Sequence, residues 1–291
     1  MLKILHTERI KVLRNFKPNE IELVLTEPCF SYRHPLLQTE DAFLAFFKEA
    51  AELGFSPYVQ VNGYIEEQEL HTLKLWLNTL VHLKPKGFYF NDFAVHRYLK
   101  QLGYKGELVY APETILTNAL DIELILTQVD RVYLSKELTL EEVLDLCQLF
   151  PDKVEVFGLG YPLMSFSRRP LVRSYLDEID TDADVLNRLD LTIKEAKRTQ
   201  YFPILEEKEG TSIFIDAIHY PKVELPLLKD ALCYGIHMDD LLMDENSFVS
   251  LSKDLLDEAK TLKQIRLEHS DLILNQAYYY RKTNMSKEEG Q

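Results

Sequence analysis

Eight short apolar segments recur along the chain, separated for most of its length by stretches of helical period, and this alternation limits the possible folds more than any other feature. The segments are LKILH (2–6), IELVLT (21–26), PYVQVN (57–62), GFYFND (87–92), ELVYA (107–111), DRVYL (130–134), KVEVFG (153–158) and GIHMDDLL (235–242). Their length and their content of β-branched and aromatic residues read as strands. Between them, DAFLAFFKEAAEL places Phe43, Phe46, Phe47, Ala50 and Leu53 on one helical face. LTLEEVLDLCQLF opens at Thr139, a good capping residue, with Glu141 and Glu142 in the first turn. Gly54, Gly103 and Gly235 stand where helices should stop. Strands alternating with helices form parallel sheets through right-handed crossovers. Eight of them in 291 residues predict an α/β fold, a (β/α)8 barrel in one domain, with its working face at the carboxyl ends of the strands.

The pattern breaks between the seventh and eighth strands. Residues 171 to 200 are polar and weakly patterned, and YFPILEEKEGTSIFIDA (201–217) reads as two strands around a Glu-Lys-Glu-Gly turn. A β-hairpin is therefore expected as an insertion into a barrel spanning residues 1 to 255. Residues 256 to 291 read as a charged helix and a tail whose last ten residues are expected to be disordered.

Composition narrows the function classes. Hydrophobic residues make up 46% and charged residues 27% of the chain, an ordinary globular balance. No apolar run approaches the roughly 18 residues that span a bilayer, and charges interrupt the amino-terminal MLKILHTERIKVL. The expectation is a cytoplasmic protein without a membrane partner. Cys29, Cys147 and Cys233 lie far apart, with no C-x-x-C pair and no Cys/His spacing suited to zinc, so the residues suggest no metal site. A net charge of −14 opposes general adhesion to nucleic acid but leaves room for a local basic patch. The densest positive charge is Ser167-Arg168-Arg169-Pro170-Leu171-Val172-Arg173.

At VEVFGLGYPLMSFSRRPLV (154–172) the chain resembles the U32 peptidase family, also called collagenase-like proteases. That signature runs E-x-F-x-x-G, then a cysteine, then G-x-C. Glu155, Phe157 and Gly160 match its opening, while Leu163 and Pro170 stand where the two cysteines would be and Arg168 replaces the glycine. Arg169 keeps the arginine before the second cysteine, and Ser165 and Ser167 keep the small hydroxyl residues around Phe166. Other segments follow in the family's order: Phe30 to Arg33 after the second strand, Asn62 and Asp92 at strand ends, and the Thr117-Asn118 pair. VDRVYLSKELTLEEV resembles the block R-x-x-L-S-x-E-L-S-x-x-E-I through Arg131, Ser135, Glu137 and Glu142. YFPILEEKEGTSIF is similar to the family's E-x-x-x-G-T hairpin, so the resemblance covers about residues 2 to 250.

Better understood members of that family act in oxygen-independent hydroxylation of transfer RNA, ribosomal RNA or a quinone precursor, and they bind an iron–sulfur cluster through four cysteines. Leu163 and Pro170 supply no thiolate, so no bound cofactor is expected. Short, cysteine-poor members accompany longer paralogues in uridine hydroxylation of transfer RNA, and the Arg-Arg-Pro-Leu run at 168–171 is one of their marks. The resemblance thus implies a longer U32 paralogue and transfer RNA as partners, with peptide hydrolysis or binding of a small anionic metabolite as alternatives.

The site candidates follow from the same residues. Glu137 and Glu155 are the catalytic candidates, two carboxylates that can exchange protons at one mouth; alternatively Glu137 orients the helix at Thr139 and Glu155 pairs with Arg131. Arg33, Asn62, Asp92, Asn118, Arg131, Ser167 and Arg169 are the substrate-binding candidates. The arginines suit a phosphate or carboxylate, while Asp92, Asn62 and Asn118 are equally suited to closing turns. His219 and His237 read as surface or core residues.

Overall fold

The structure, a computed structural model, describes residues 1–194, 196 and 199–280. Seven parallel strands form in chain order: β1 (Leu2–His6), β2 (Glu22–Thr26), β3 (Tyr58–Val61), β4 (Gly87–Phe90), β5 (Glu107–Tyr110), β6 (Arg131–Tyr133) and β7 (Val154–Leu159). The chain then leaves the barrel for β8 (Leu163–Ser167), β9 (Thr192–Ile193), β10 (Phe202–Glu207), β11 (Gly210–Phe214) and β12 (Ile218–His219). It re-enters as β13 (Gly235–Asp239) and ends in β14 (Leu274–Asn275). β13 pairs with both β7 and β1, closing the barrel in the order β1-β13-β7-β6-β5-β4-β3-β2. The expected eight-stranded barrel is thus present.

Two apolar layers hold it. Residues facing outward from the strands pack under the helices: Phe43, Phe46, Phe47 and Ala50 of the helix Glu40–Glu52 are buried there, as are Leu73, Trp76, Leu77 and Leu80 of Leu70–His82. Inward-facing residues, among them Ile4, Val24, Tyr58, Tyr89, Val109, Tyr133 and Phe157, fill the barrel itself. Gly87 shows how tightly the interior is packed, since a Cβ there would lie 2.5 Å from the Tyr58 ring. A side chain at this position would displace the ring that closes the lower end of the barrel.

The insertion is larger than the hairpin expected. β10 and β11 form that hairpin, but β8 pairs with β11 and β9 with β10, giving an antiparallel sheet ordered β8-β11-β10-β9. Half of the degenerate signature therefore belongs to the insert. A helix, Leu171–Glu178, forms in the stretch that read as weakly patterned, where Glu206 accepts the backbone N–H groups of Val172 (2.6 Å) and Arg173 (3.1 Å). The eighth barrel strand ends at Asp239, short of Leu242. Beyond it, Glu245–Leu256 buries Phe248, Leu251 and Leu255 against the barrel, and Leu262–Glu268 is a separate helix with a Thr261 capping box. The tail expected to be disordered, residues 282–291, lies outside the described residues.

Candidate functional site

The barrel carries a column of polar side chains from its floor to its mouth. The floor is made by residues at the strands' amino ends. Arg131 opens β6 and is buried; its Nε donates to Glu155 Oε1 (2.6 Å), its Nη1 pairs with Glu107, and its Nη2 donates to the Tyr58 hydroxyl (3.1 Å). Glu22 completes the cage 3.5 Å away, and the guanidinium lies 4.1 Å from the centre of the Tyr234 ring. Burial alone would push the Glu155 carboxyl up, but His237 and Arg131 hold it below the usual range.

One step higher, His237 Nε2 meets Glu155 Oε2 at 2.9 Å, and its ring stacks on Tyr133 with centroids 4.0 Å apart. Its Nδ1 faces His6 Nε2 at 2.6 Å. These contacts follow from register: Ile4 pairs with His237 and His6 with Asp239, so alternate residues of β1 and β13 point inward on neighbouring strands. Burial, with His237 and Lys136 close by, pushes the His6 imidazole well below its ordinary value, keeping it neutral.

Above His6 lies a cleft of about 690 Å³, counting space open to solvent. Arg33 and Glu113 form an ion pair across it, with Lys136 Nζ 3.7 Å from the same carboxylate. Burial opposes ionisation of Glu113, but the two cations prevail and hold its carboxyl low, while burial draws the Lys136 ammonium down. Arg33 and Glu113 both occupy left-handed backbone, with φ of 62° and 64°. Such conformations are costly for these residue types and concentrate where a side chain must be aimed. Opposite stand three carboxyls raised by burial: Asp239, Asp240 to about 7 and Glu8 to about 8. The mouth therefore presents three cations, Arg9, Arg33 and Lys136, a neutral imidazole, and two acids, Asp240 and Glu8, raised to where they hold protons near neutral pH.

The loop that carries Arg33 is held by side chains. Glu27, fully buried, accepts from the backbone N–H groups of Cys29 and Phe30 (2.8 Å each), Ser31 Oγ (2.6 Å) and Trp76 Nε1 (2.6 Å). Asn62 Oδ1 accepts from Tyr32 N–H (2.7 Å). Glu207, from the insert, takes the N–H groups of Arg33 (2.7 Å) and His34 (3.0 Å). Buried donors outside regular structure need such partners. A second groove of about 780 Å³ shares Tyr32, Arg33, Asn62 and Glu113 with the cleft and runs between the barrel rim and β8. There Tyr32 and Phe166 have ring centroids 4.3 Å apart, and Arg168 pairs with Glu66.

Of the residues singled out in the sequence, Arg33 and Asn62 line the cleft. Glu155 joins it only through His237. Arg131 sits at the floor, away from any ligand in the mouth, because it opens its strand instead of following it. The Glu137 side chain is exposed and lies outside the cleft lining, while Lys136, one residue earlier, faces the cleft. Nor does Glu137 cap the next helix, where Thr139 and Glu142 form the capping box. Asp92 and Asn118 are N-caps, accepting from Ala94 N–H (2.8 Å) and Asp121 N–H (3.0 Å). Ser167 Oγ accepts from Arg169 N–H at 3.1 Å within the insert, and the Arg169 side chain is exposed. Sequence reasoning missed His6, Lys136, Glu113 and Asp239, and passed over His237. Polar residues at alternate positions of an apolar strand, as in GIHMD, were the available signal.

The donor set does not suit an iron–sulfur cluster. Leu163 lines the second groove and Pro170 precedes the helix Leu171–Glu178, neither with a thiolate. Cys147 and Cys233 are buried and close enough that their contact pushes the Cys233 thiol up, while Cys29, half-buried, has its thiol raised by burial and by Glu27. Among the described residues, no three His, Cys, Asp or Glu side chains are grouped to hold a metal ion, and no helix is long and apolar enough to cross a membrane.

The sequence profile of peptidase family U32 matches residues 19–188. Among solved structures, the U32 peptidase Mk0906 superposes with a TM-score of 0.50 at 11% identity, covering 82% of this chain and 92% of that one. The C-terminal domain of a putative chitinase from Desulfitobacterium hafniense DCB-2 gives a TM-score of 0.48 at 10% identity, covering 88% of this chain and 99% of that one. The spore cortex-lytic enzyme SleL of Bacillus megaterium QM B1551 gives 0.43 at 11% identity, over 86% and 73% respectively. At these identities the likeness concerns the fold alone. No curated protein matches the chain in sequence.

Proposed function

Because the chain belongs to peptidase family U32, we propose that it is the cluster-free subunit of a system that hydroxylates the wobble uridine of transfer RNA, acting with a longer, cluster-bearing paralogue. The observation that carries this reading is the contrast between Leu163 and Pro170, which lack thiolates, and a polar mouth built around Arg33, Asn62, Glu113 and Lys136. Two left-handed residues and buried charges are costly, and such features concentrate where side chains are aimed at a ligand. The test is a deletion strain whose transfer RNA is analysed for the hydroxylated wobble uridine. Loss of the modification, restored by the gene, is expected; an unchanged profile in a strain without a redundant pathway sinks the reading. Coexpression with the longer paralogue is expected to give a stable complex that purifies free of iron on this chain.

Peptide hydrolysis, the activity in the family's name, has weaker support. The cysteine thiols are buried or raised, which disfavours a thiolate nucleophile. Ser250, His269 and Asp254 do lie together, but Ser250 Oγ (3.2 Å) and Asp254 Oδ2 (3.6 Å) both approach His269 Nε2. A relay needs the acid and the nucleophile on opposite ring nitrogens.

A second reading, binding of a small anionic metabolite, is favoured by Arg33 and Lys136 meeting over one cleft. A thermal-shift screen of carboxylates and phosphates tests it, since a ligand at 100 times its Kd stabilises by about 2.7 kcal/mol. No shift from any compound would remove it.

A further inference from the structure

Two imidazoles in contact inside a barrel share protons in an order set by their surroundings. Both ring nitrogens of His237 are engaged, Nδ1 with His6 Nε2 at 2.6 Å and Nε2 with Glu155 Oε2 at 2.9 Å. An ionised carboxylate only accepts, so His237 Nε2 carries a hydrogen. When His237 is neutral its Nδ1 is an acceptor, and His6 Nε2 must be the donor. His6, which lines the cleft, is then left with Nδ1 as a lone-pair acceptor.

We propose that His6, His237 and Glu155 form a proton relay in which His6 is the acid–base group of the cleft and His237 the residue where an accepted proton rests. The transfer balances as follows. A protic group of a cleft-bound molecule gives its proton to His6 Nδ1 and keeps the electron pair of the broken bond. His6 releases its Nε2 proton to His237 Nδ1. His6 ends neutral, with its hydrogen now on Nδ1, and His237 becomes an imidazolium.

The surroundings favour that end state. Burial first, then Lys136 and Arg33 from across the cleft, disfavour a charge on His6 and outweigh the hydrogen bond with the Gln60 side chain that favours one. Glu155, held ionised by His237 and by Arg131 beyond it, faces His237. The Tyr133 ring, 4.0 Å away and nearly parallel, lies against the same imidazole, where an aromatic face stabilises a cation. Tyr89, with its ring edge-on to both histidines, stays neutral because burial raises its hydroxyl well above the ordinary value. Glu113, Asp239 and Asp240 sit on the cleft side. The relay lies wholly within this chain and requires neither a partner nor a cluster, so it goes beyond the transfer-RNA reading and stands or falls separately from it.

The experiment is an imidazole 15N NMR titration of the purified full-length protein, its Glu155→Gln variant and its His6→Gln variant. In the wild type, His237 should take up one proton while His6 remains neutral. In Glu155→Gln, the proton affinity of His237 should fall tenfold or more, about one pH unit. In His6→Gln, the Nδ1 resonance and the titration of His237 should both move while Nε2 stays protonated. His6 stands at the half-buried rim, so this variant gives the answer should Glu155→Gln fail to fold. Two imidazoles titrating independently, a His237 unmoved by His6→Gln, or a proton resting on His6 would each overturn the relay.

Discussion

Glu8 illustrates how a single buried side chain ties the mouth to pH. Its Oε2 accepts the backbone N–H of Leu36 at 2.7 Å, yet burial lifts its carboxyl from 4.5 to about 8. A carboxyl raised on folding binds its proton more tightly in the native state, so its contribution is full at low pH and declines as pH rises from about 4.5 towards 8. Relative to Glu8→Gln, which stays neutral, the wild type should lose thermal stability progressively across that window; a difference in Tm that is flat with pH would contradict the assignment. Arg131 offers the complementary case. Arg131→Met leaves Glu155, Glu107 and Glu22 without their common cation and should cost about 3–5 kcal/mol, read as a lower midpoint in urea unfolding. The same residues show what a sequence conveys and what it does not. The pairing of Arg131 with Glu155 was legible as an alternative, because an arginine and a glutamate in neighbouring strands have few other buried partners. The choice between Lys136 and Glu137 was not, since successive residues after a strand face opposite ways and a shift of one position reverses the reading.

Elements were read more reliably than side-chain roles, and the reason is physical. Each barrel strand is buried on both faces, so its run of apolar residues is nearly continuous and stands out from the helices. The position after a strand is ambiguous, because in a β/α barrel the rim of one element is also the approach to the next helix. Asp92 and Asn118 were candidates for ligand binding on that ground, and both proved to cap helices. Asn118→Ala should accordingly lower stability by about 1 kcal/mol without altering ligand binding or transfer-RNA modification. An effect on modification at unchanged stability would return Asn118 to the site. The insert was only half legible: the β10–β11 hairpin announces itself through its turn, whereas β8 and the two-residue β9 have no period of their own and exist because the hairpin offers them edges.

At the scale of the whole molecule, charge sets a condition on the proposed function. A net charge of −14 repels a polyanion, and two arginines of the basic run are partly neutralised, Arg168 by Glu66 and Arg173 by Asp182. The isolated chain should therefore not retard transfer RNA in a gel at about 0.15 M salt, where charge attraction is already screened over about 8 Å, whereas the complex with the longer paralogue should. Retardation by the isolated chain at that salt would show that the basic patch suffices by itself. The insert adds a constraint of another kind. Through Glu207 it holds the backbone of Arg33 and His34, so the barrel and its insert cannot be inherited or exchanged as independent modules. A chimera that received the insert of a relative lacking an acid at this position would keep a closed barrel but misplace the arginine at its entrance.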